Sequence, residues 1–113
     1  MKRDMDLIRK ILFAIEANED ATGHGWIELG NINNYSEKQV SYHVSLLYQG
    51  GLIDAIDLSD TLSFHWEPKS LTWEGQEFLE AIRKEGTWEK LKKEAVNLSF
   101  AAIKMKALEI VTS

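Results

Sequence analysis

Cysteine is absent from the 113-residue chain. That excludes disulfides, a thiol nucleophile and thiolate metal ligation. Histidine is scarce: His24, His43 and His65 are the only three, and their spacing matches no metal-ligand pattern. Long apolar runs are missing too, since none approaches the roughly 18 residues that span a bilayer. The opening M-K-R-D-M-D lacks the continuous apolar segment of a signal peptide. A cytoplasmic chain without membrane association is therefore expected. There is no phosphate-binding loop and no nucleophile–base pair. Acids three residues apart, such as Glu74 and Glu77, read as a solvated helix face. Neither enzymatic activity nor a cofactor is expected.

Cations are scarce in one region above all. Residues 11–82 hold only Lys38 and Lys69 against twelve acids, whereas residues 1–10 carry four cations against two acids and residues 83–106 seven against three. The net charge of −5 hides this asymmetry. DNA affinity comes largely from cations that neutralise phosphates, so an acidic middle segment disfavours ordinary operator binding there.

What the chain does have is a strong helix signal between Tyr35 and Ile53. Ser36 suits an N-cap, and Gln39 three residues on can complete a capping box; Tyr35 and Val40 can form the hydrophobic staple. Val40, His43, Val44 and Leu47 follow helical spacing and predict one buried face. His43 on that face reads as a hydrogen-bonded structural histidine. Gly50 and Gly51 stop the helix through a left-handed C-cap. The solvent side should carry Glu37, Lys38, Gln39, Tyr42 and Ser45. In a DNA-reading helix Gln39 would meet adenine, Lys38 a phosphate or guanine, and Tyr42 or Ser45 a phosphate.

Around this helix the remaining elements fall into order. A first helix is expected over about Asp4–Glu19, with Met5, Ile8, Ile11, Leu12 and Ile15 as its stripe; Leu7 and Phe13 lie off it and would meet other core elements or a second copy. Asn18–Gly25 reads as a loop, with His24 solvated. Trp26–Gly30 reads as a short strand and Asn31–Asn34 as a turn. The roughly five residues left before Ser36 allow only a shortened helix, or none, where a helix-turn-helix has its first one. Leu52–Leu58 and Leu62–Trp66 should pair as a ribbon around a turn at Ser59–Thr61, with His65 on its surface and Glu67–Ser70 ending it. Asp57 and Asp60 stand at the tip, where a DNA-binding wing would offer cations. Thr72 caps a further helix through Ile82, in which Gly75 allows close packing against Trp73 or a neighbouring helix. Gly86 breaks the chain, Thr87 caps a helix bearing Trp88, Leu91 and Ala95, and Ser99 caps a last helix through Val111.

The run S-Y-H-V-S-L-L-Y-Q-G-G-L-I resembles the S-x-H-L-x-x-L-x-x-A-G-L-V pattern of winged-helix repressors of the metal-sensing and related groups, with Val44 in place of Leu and Gly50 in place of Ala. Their metal ligands have no counterpart here. The string L-T-W-E-G-Q-E-F-L-E-A-I looks like the helix that follows the wing in several regulator families. With the opening M-K-R-D-M-D-L-I-R-K-I-L, the middle Y-H-V-S-L-L and Trp88, the chain as a whole resembles a family of short, uncharacterised bacterial and phage proteins that form a domain of unknown function. That resemblance implies a winged-helix-like fold and no established activity.

The expected architecture is α+β, mainly α: one winged helix-turn-helix domain, with its core at residues 1–85 and a C-terminal helical extension at 86–113. The expected function is a DNA-binding transcription regulator of bacterial or prophage origin, with Lys2, Arg3, Lys38, Gln39, Tyr42 and Ser45 as contacts to double-stranded DNA. The alternative is a winged-helix protein-interaction module that binds a host or phage protein. Apolar residues spread around the last helix point to a homodimer through the C-terminal helices.

Overall fold

The computed structural model describes residues 2–22, 32, 34–96 and 98–112. The expected strand at Trp26–Gly30 and the reading of His24 lie outside these residues. Within them the chain forms α1 (Met5–Thr22), α2 (Glu37–Gln49), β1 (Ile53–Asp57), β2 (Trp66–Leu71), α3 (Trp73–Ile82), α4 (Glu85–Ala95) and α5 (Phe100–Thr112). This is an α+β architecture, mainly α, with one two-stranded antiparallel sheet among the described residues.

α1 is longer than its sequence suggested, continuing through Asn18–Thr22 despite the turn-forming residues there. Met5, Ile8, Ile11, Leu12 and Ile15 are buried as the stripe requires, and Leu7 joins them in the core. Phe13 is only half-buried, its ring lying beneath the guanidinium groups of Arg9 and Arg83 at 5.2 and 5.7 Å. α2 starts with the expected capping box: the Gln39 amide donates to the Ser36 hydroxyl, and the Ser36 amide donates to the Gln39 side chain at 2.9 Å. Gly50 remains right-handed; Gly51, at φ 77°, supplies the left-handed residue that ends the helix.

The ribbon differs from expectation in where it returns. β2 begins at Trp66 and runs through Pro68 to Leu71, so the stretch Leu58–His65 is a loop. Pro68 is tolerated because the strands slip between Asp54 and Ala55: Asp54 faces Ser70, Ala55 faces Pro68, and Lys69 is the extra residue of a bulge. The amide of Trp66 donates to the Ser41 hydroxyl of α2 at 3.1 Å, and the Trp66 ring packs on Tyr48 at 5.5 Å. These contacts lay the returning strand on α2.

Thr72 ties the base of the ribbon together. Its hydroxyl accepts from the Gly75 amide as the N-cap of α3 and donates to the Gly51 carbonyl at 2.7 Å, while its amide donates to the Leu52 carbonyl at 3.0 Å. Gly75 packs against the Leu52 backbone rather than against Trp73 or a helix: a Cβ there would lie 1.8 Å from the Leu52 oxygen. Gly86 does not break the chain. α4 starts at Glu85 with Lys84 as its N-cap, and Thr87 lies inside the helix. Ser99 does cap α5, accepting from the Ala102 amide at 3.2 Å. Trp88, Leu91 and Ala95 of α4 and Ile103 and Ala107 of α5 close the core, in which each fully buried large side chain contributes roughly 1.5–3 kcal/mol.

His43 is buried, as its place on the apolar face predicts. Its Nε2 accepts the Asp4 amide at 2.7 Å and its Nδ1 lies 2.8 Å from the Gln39 carbonyl, which assigns the single proton to Nδ1. Burial lowers its pKa below the ordinary 6.5, outweighing the opposing pull of the Gln39 carbonyl and Asp4.

Gly75→Ala should destabilise the fold by about 1–3 kcal/mol or more in urea denaturation, because backbone oxygen cannot yield. Gly86→Ala, with open space around its added methyl, should stabilise it by about 0.5–1 kcal/mol; equal effects of the two would contradict the packing. For His43, the unfolded imidazole takes a proton more readily than the folded one, so stability should fall as pH drops below 6.5. His43→Leu should cost about 1–3 kcal/mol at neutral pH by stranding the Asp4 amide, and should flatten the fall between about pH 7 and pH 5. An unchanged pH profile of thermal unfolding would exclude this role.

Candidate interaction surface

The loop that joins the two strands is organised by its own acids. Asp57 accepts from the Ser59 amide at 2.9 Å. One carboxylate oxygen of Asp60 accepts from the amides of Leu62 and Ser63, each at 2.8 Å. Hydrogen bonds from Ser59 side chain and backbone hold the Asp57 carboxyl below its usual pKa, and the amides of Leu62 and Ser63 do the same for Asp60. Both side chains are ionised Asx-type turn formers rather than cation partners. The Leu58 amide donates to the His65 carbonyl at 2.8 Å and the Asp60 amide to the Ser63 carbonyl at 2.9 Å, closing the loop on itself.

With its polar groups satisfied internally, the loop turns its apolar side chains outward. Leu62 is 94% exposed, Leu58 46% and Phe64 40%. Between this loop and the first turn of α2 lies an open groove of about 670 Å³ lined by Glu37, Lys38 and Ser59–His65. His65 forms its inner wall: Nε2 lies 2.9 Å from Glu67 and Nδ1 3.6 Å from Glu37, linking the ribbon to the start of α2. His65 is half-buried at this junction, not a free surface residue.

The residues expected to contact DNA do not share one open surface. Lys38 is exposed at the groove rim, and Lys2 is exposed near the N-terminus. Gln39 is engaged in the capping box. Tyr42 is half-buried with its ring edge-on to His43 at 5.3 Å. Ser45, expected on the solvent side, is instead 5% exposed and donates to the Tyr42 carbonyl at 2.6 Å, because the ribbon widens the buried side of α2 beyond a simple stripe. Arg3 caps the end of α4, donating to the carbonyls of Ala95 and Leu98 at 3.3 and 2.8 Å.

Five further cations are engaged in ion pairs within the fold. Arg9 pairs with Glu85, Arg83 with Glu16 and Glu80, Lys92 with Asp6 and Glu89, Lys104 with Glu74, and Lys106 with Glu94. Glu74 of the paired acids therefore serves an ion pair, and Glu77 accepts from the Trp73 indole at 2.8 Å. Sequence reasoning missed the apolar loop tip because Leu62, Ser63 and Phe64 alternate as a strand would. The crowding of Ser59, Asp60, Thr61 and Ser63 was the signal for a longer loop. Among the described residues no cluster of three or more histidines and acids could hold a metal ion, and no helix is long and apolar enough to cross a membrane.

No solved structure matches the chain. An uncharacterized protein of Haemophilus influenzae is 37% identical over 116 residues, covering 99% of this chain and 97% of that relative. Residues 2–101 match the family of hypothetical proteins designated DUF2513, and the chain belongs to that family.

Proposed function

We propose that this protein is a winged-helix-like protein-interaction module that works in the bacterial cytoplasm without reading DNA. In this reading α2 stands where a recognition helix would, and β1–β2 with its loop stands where a wing would. The carrying observation is the composition of the face they form. It displays Leu58, Leu62 and Phe64 beside Asp57, Asp60 and Glu37, and Lys38 is the one Lys or Arg among the described residues that line the groove. Phosphates require cations, and carboxylates at the tip repel them. Clustered apolar side chains rimmed by charge suit burial against another protein.

A DNA-binding transcription regulator is the second reading. It is favoured by the order of a capped helix followed directly by a β-ribbon, and by the exposure of Lys2 and Lys38. The two readings separate in a mobility-shift titration. The interaction module leaves duplex DNA unshifted even at about 50 mM salt, where phosphate contacts are strongest; a salt-sensitive shift that Lys38→Ala weakens would establish the regulator instead. After nuclease treatment of a bacterial lysate, the intact protein should retain a partner that the Leu62→Ser/Phe64→Ser variant does not.

A further inference from the structure

Among the charges without an ion pair in the described residues are two patches of opposite sign. On α4 every acid has an internal partner: Glu85 pairs with Arg9 at 3.0 Å, Glu89 with Lys92 at 3.6 Å and Glu94 with Lys106 at 3.0 Å. Lys84, Lys90 and Lys93 are exposed and make no ion pair among the described residues. Lys90 and Lys93 stand one helical turn apart, and Val96, one turn further, is 79% exposed. The outer side of α4 is thus a net-positive strip with an aliphatic residue at its end. The ribbon loop is the reverse: among the described residues Asp57 and Asp60 accept only from their own loop, and the exposed Leu62 lines the groove together with Asp60. No ion pair joins the two patches within one chain among the described residues.

We infer that the ribbon loop of one molecule docks on the outer side of α4 of a second copy, with Asp57 and Asp60 against Lys90 and Lys93 and Leu62 against Val96. This rests on reading the helix–ribbon face as a protein-contact surface. Charge complementarity selects this occupant, because the chain itself carries both halves of the contact. The two patches are different surfaces, so the contact is heterologous: a dimer keeps one free loop on one copy and one free α4 strip on the other, and assembly continues beyond a dimer unless a ring closes. Exposed ion pairs are individually weak and screened by salt, so the association is weak and ionic-strength dependent.

Sedimentation of the intact protein tests this. At about 50 mM salt the average mass should rise with concentration above the 12.9 kDa monomer, and about 500 mM salt should weaken association about tenfold or more. Asp57→Asn/Asp60→Asn keeps the acceptors of the loop turns but removes its charge. Lys90→Glu/Lys93→Glu alters only exposed positions. Each variant alone should be monomeric. Their equimolar mixture should form a 1:1 complex and nothing larger, since each retains the patch the other lacks. Far-UV circular dichroism confirms that both are folded. A wild type that stays monomeric at low salt overturns the inference while leaving a foreign protein as occupant of the ribbon face, and association unchanged in either variant overturns it equally. DNA binding would instead remove the reading on which it rests.

Discussion

The close approach of Gly75 to the Leu52 carbonyl is the constraint on which the architecture turns. α2 ends at Gly50, the chain reverses through Gly51 at positive φ, and Leu52 enters the ribbon with its oxygen against the first turn of α3. Thr72 accepts, donates and caps at the same place, so the strand that leaves α2 and the strand that enters α3 are joined at their base. Any side chain at residue 75 would separate them. Because β1 and β2 are joined there, and Ser41 accepts from the amide of Trp66, the distal loop lies beside the start of α2.

Electrostatics completes what packing begins. The terminal segments are rich in cations, yet the fold spends most of these on its own acids and helix ends: Arg3 on the end of α4, Arg9 on Glu85, Arg83 on Glu16, Lys104 on Glu74 and on the Gly50 carbonyl. A segment that reads as positively charged is therefore much less so on its surface. The same accounting leaves the ribbon loop acidic, since its carboxylates are bound by amides and not by cations. The exposed surface includes a negative, apolar-tipped ribbon loop and a short lysine strip on α4.

Much of the fold could be read locally. The capping box at Ser36 and Gln39 and the Thr72 and Ser99 caps rest on contacts within three residues, and all formed as their spacing implied. The burial of His43 followed from its place on an apolar stripe. Locally ambiguous stretches were misread. Asn18–Thr22 stayed helical although its residues favour turns, and Gly86 did not stop a helix, since neither stretch contains a residue that forbids helix geometry. Leu62–Phe64 alternated like a strand but lost its partners to a loop held by Asp57 and Asp60. Pro68, which seemed to end the ribbon, lies inside β2 at a bulge.

The sequence by itself determined the elements whose cause is short-range: the start and stop of α2, the caps of α3 and α5, the apolar faces and the mainly α composition. Side-chain identity and spacing specify such features because the interacting groups are separated by a turn or less of chain. Only the tertiary structure decided which charges remained for partners. Ser45 became buried because the ribbon covers a second side of α2, and Arg3 became a helix cap because α4 ends beside it. Those outcomes depend on residues far apart in the chain, and a linear pattern holds no record of which distant groups will meet.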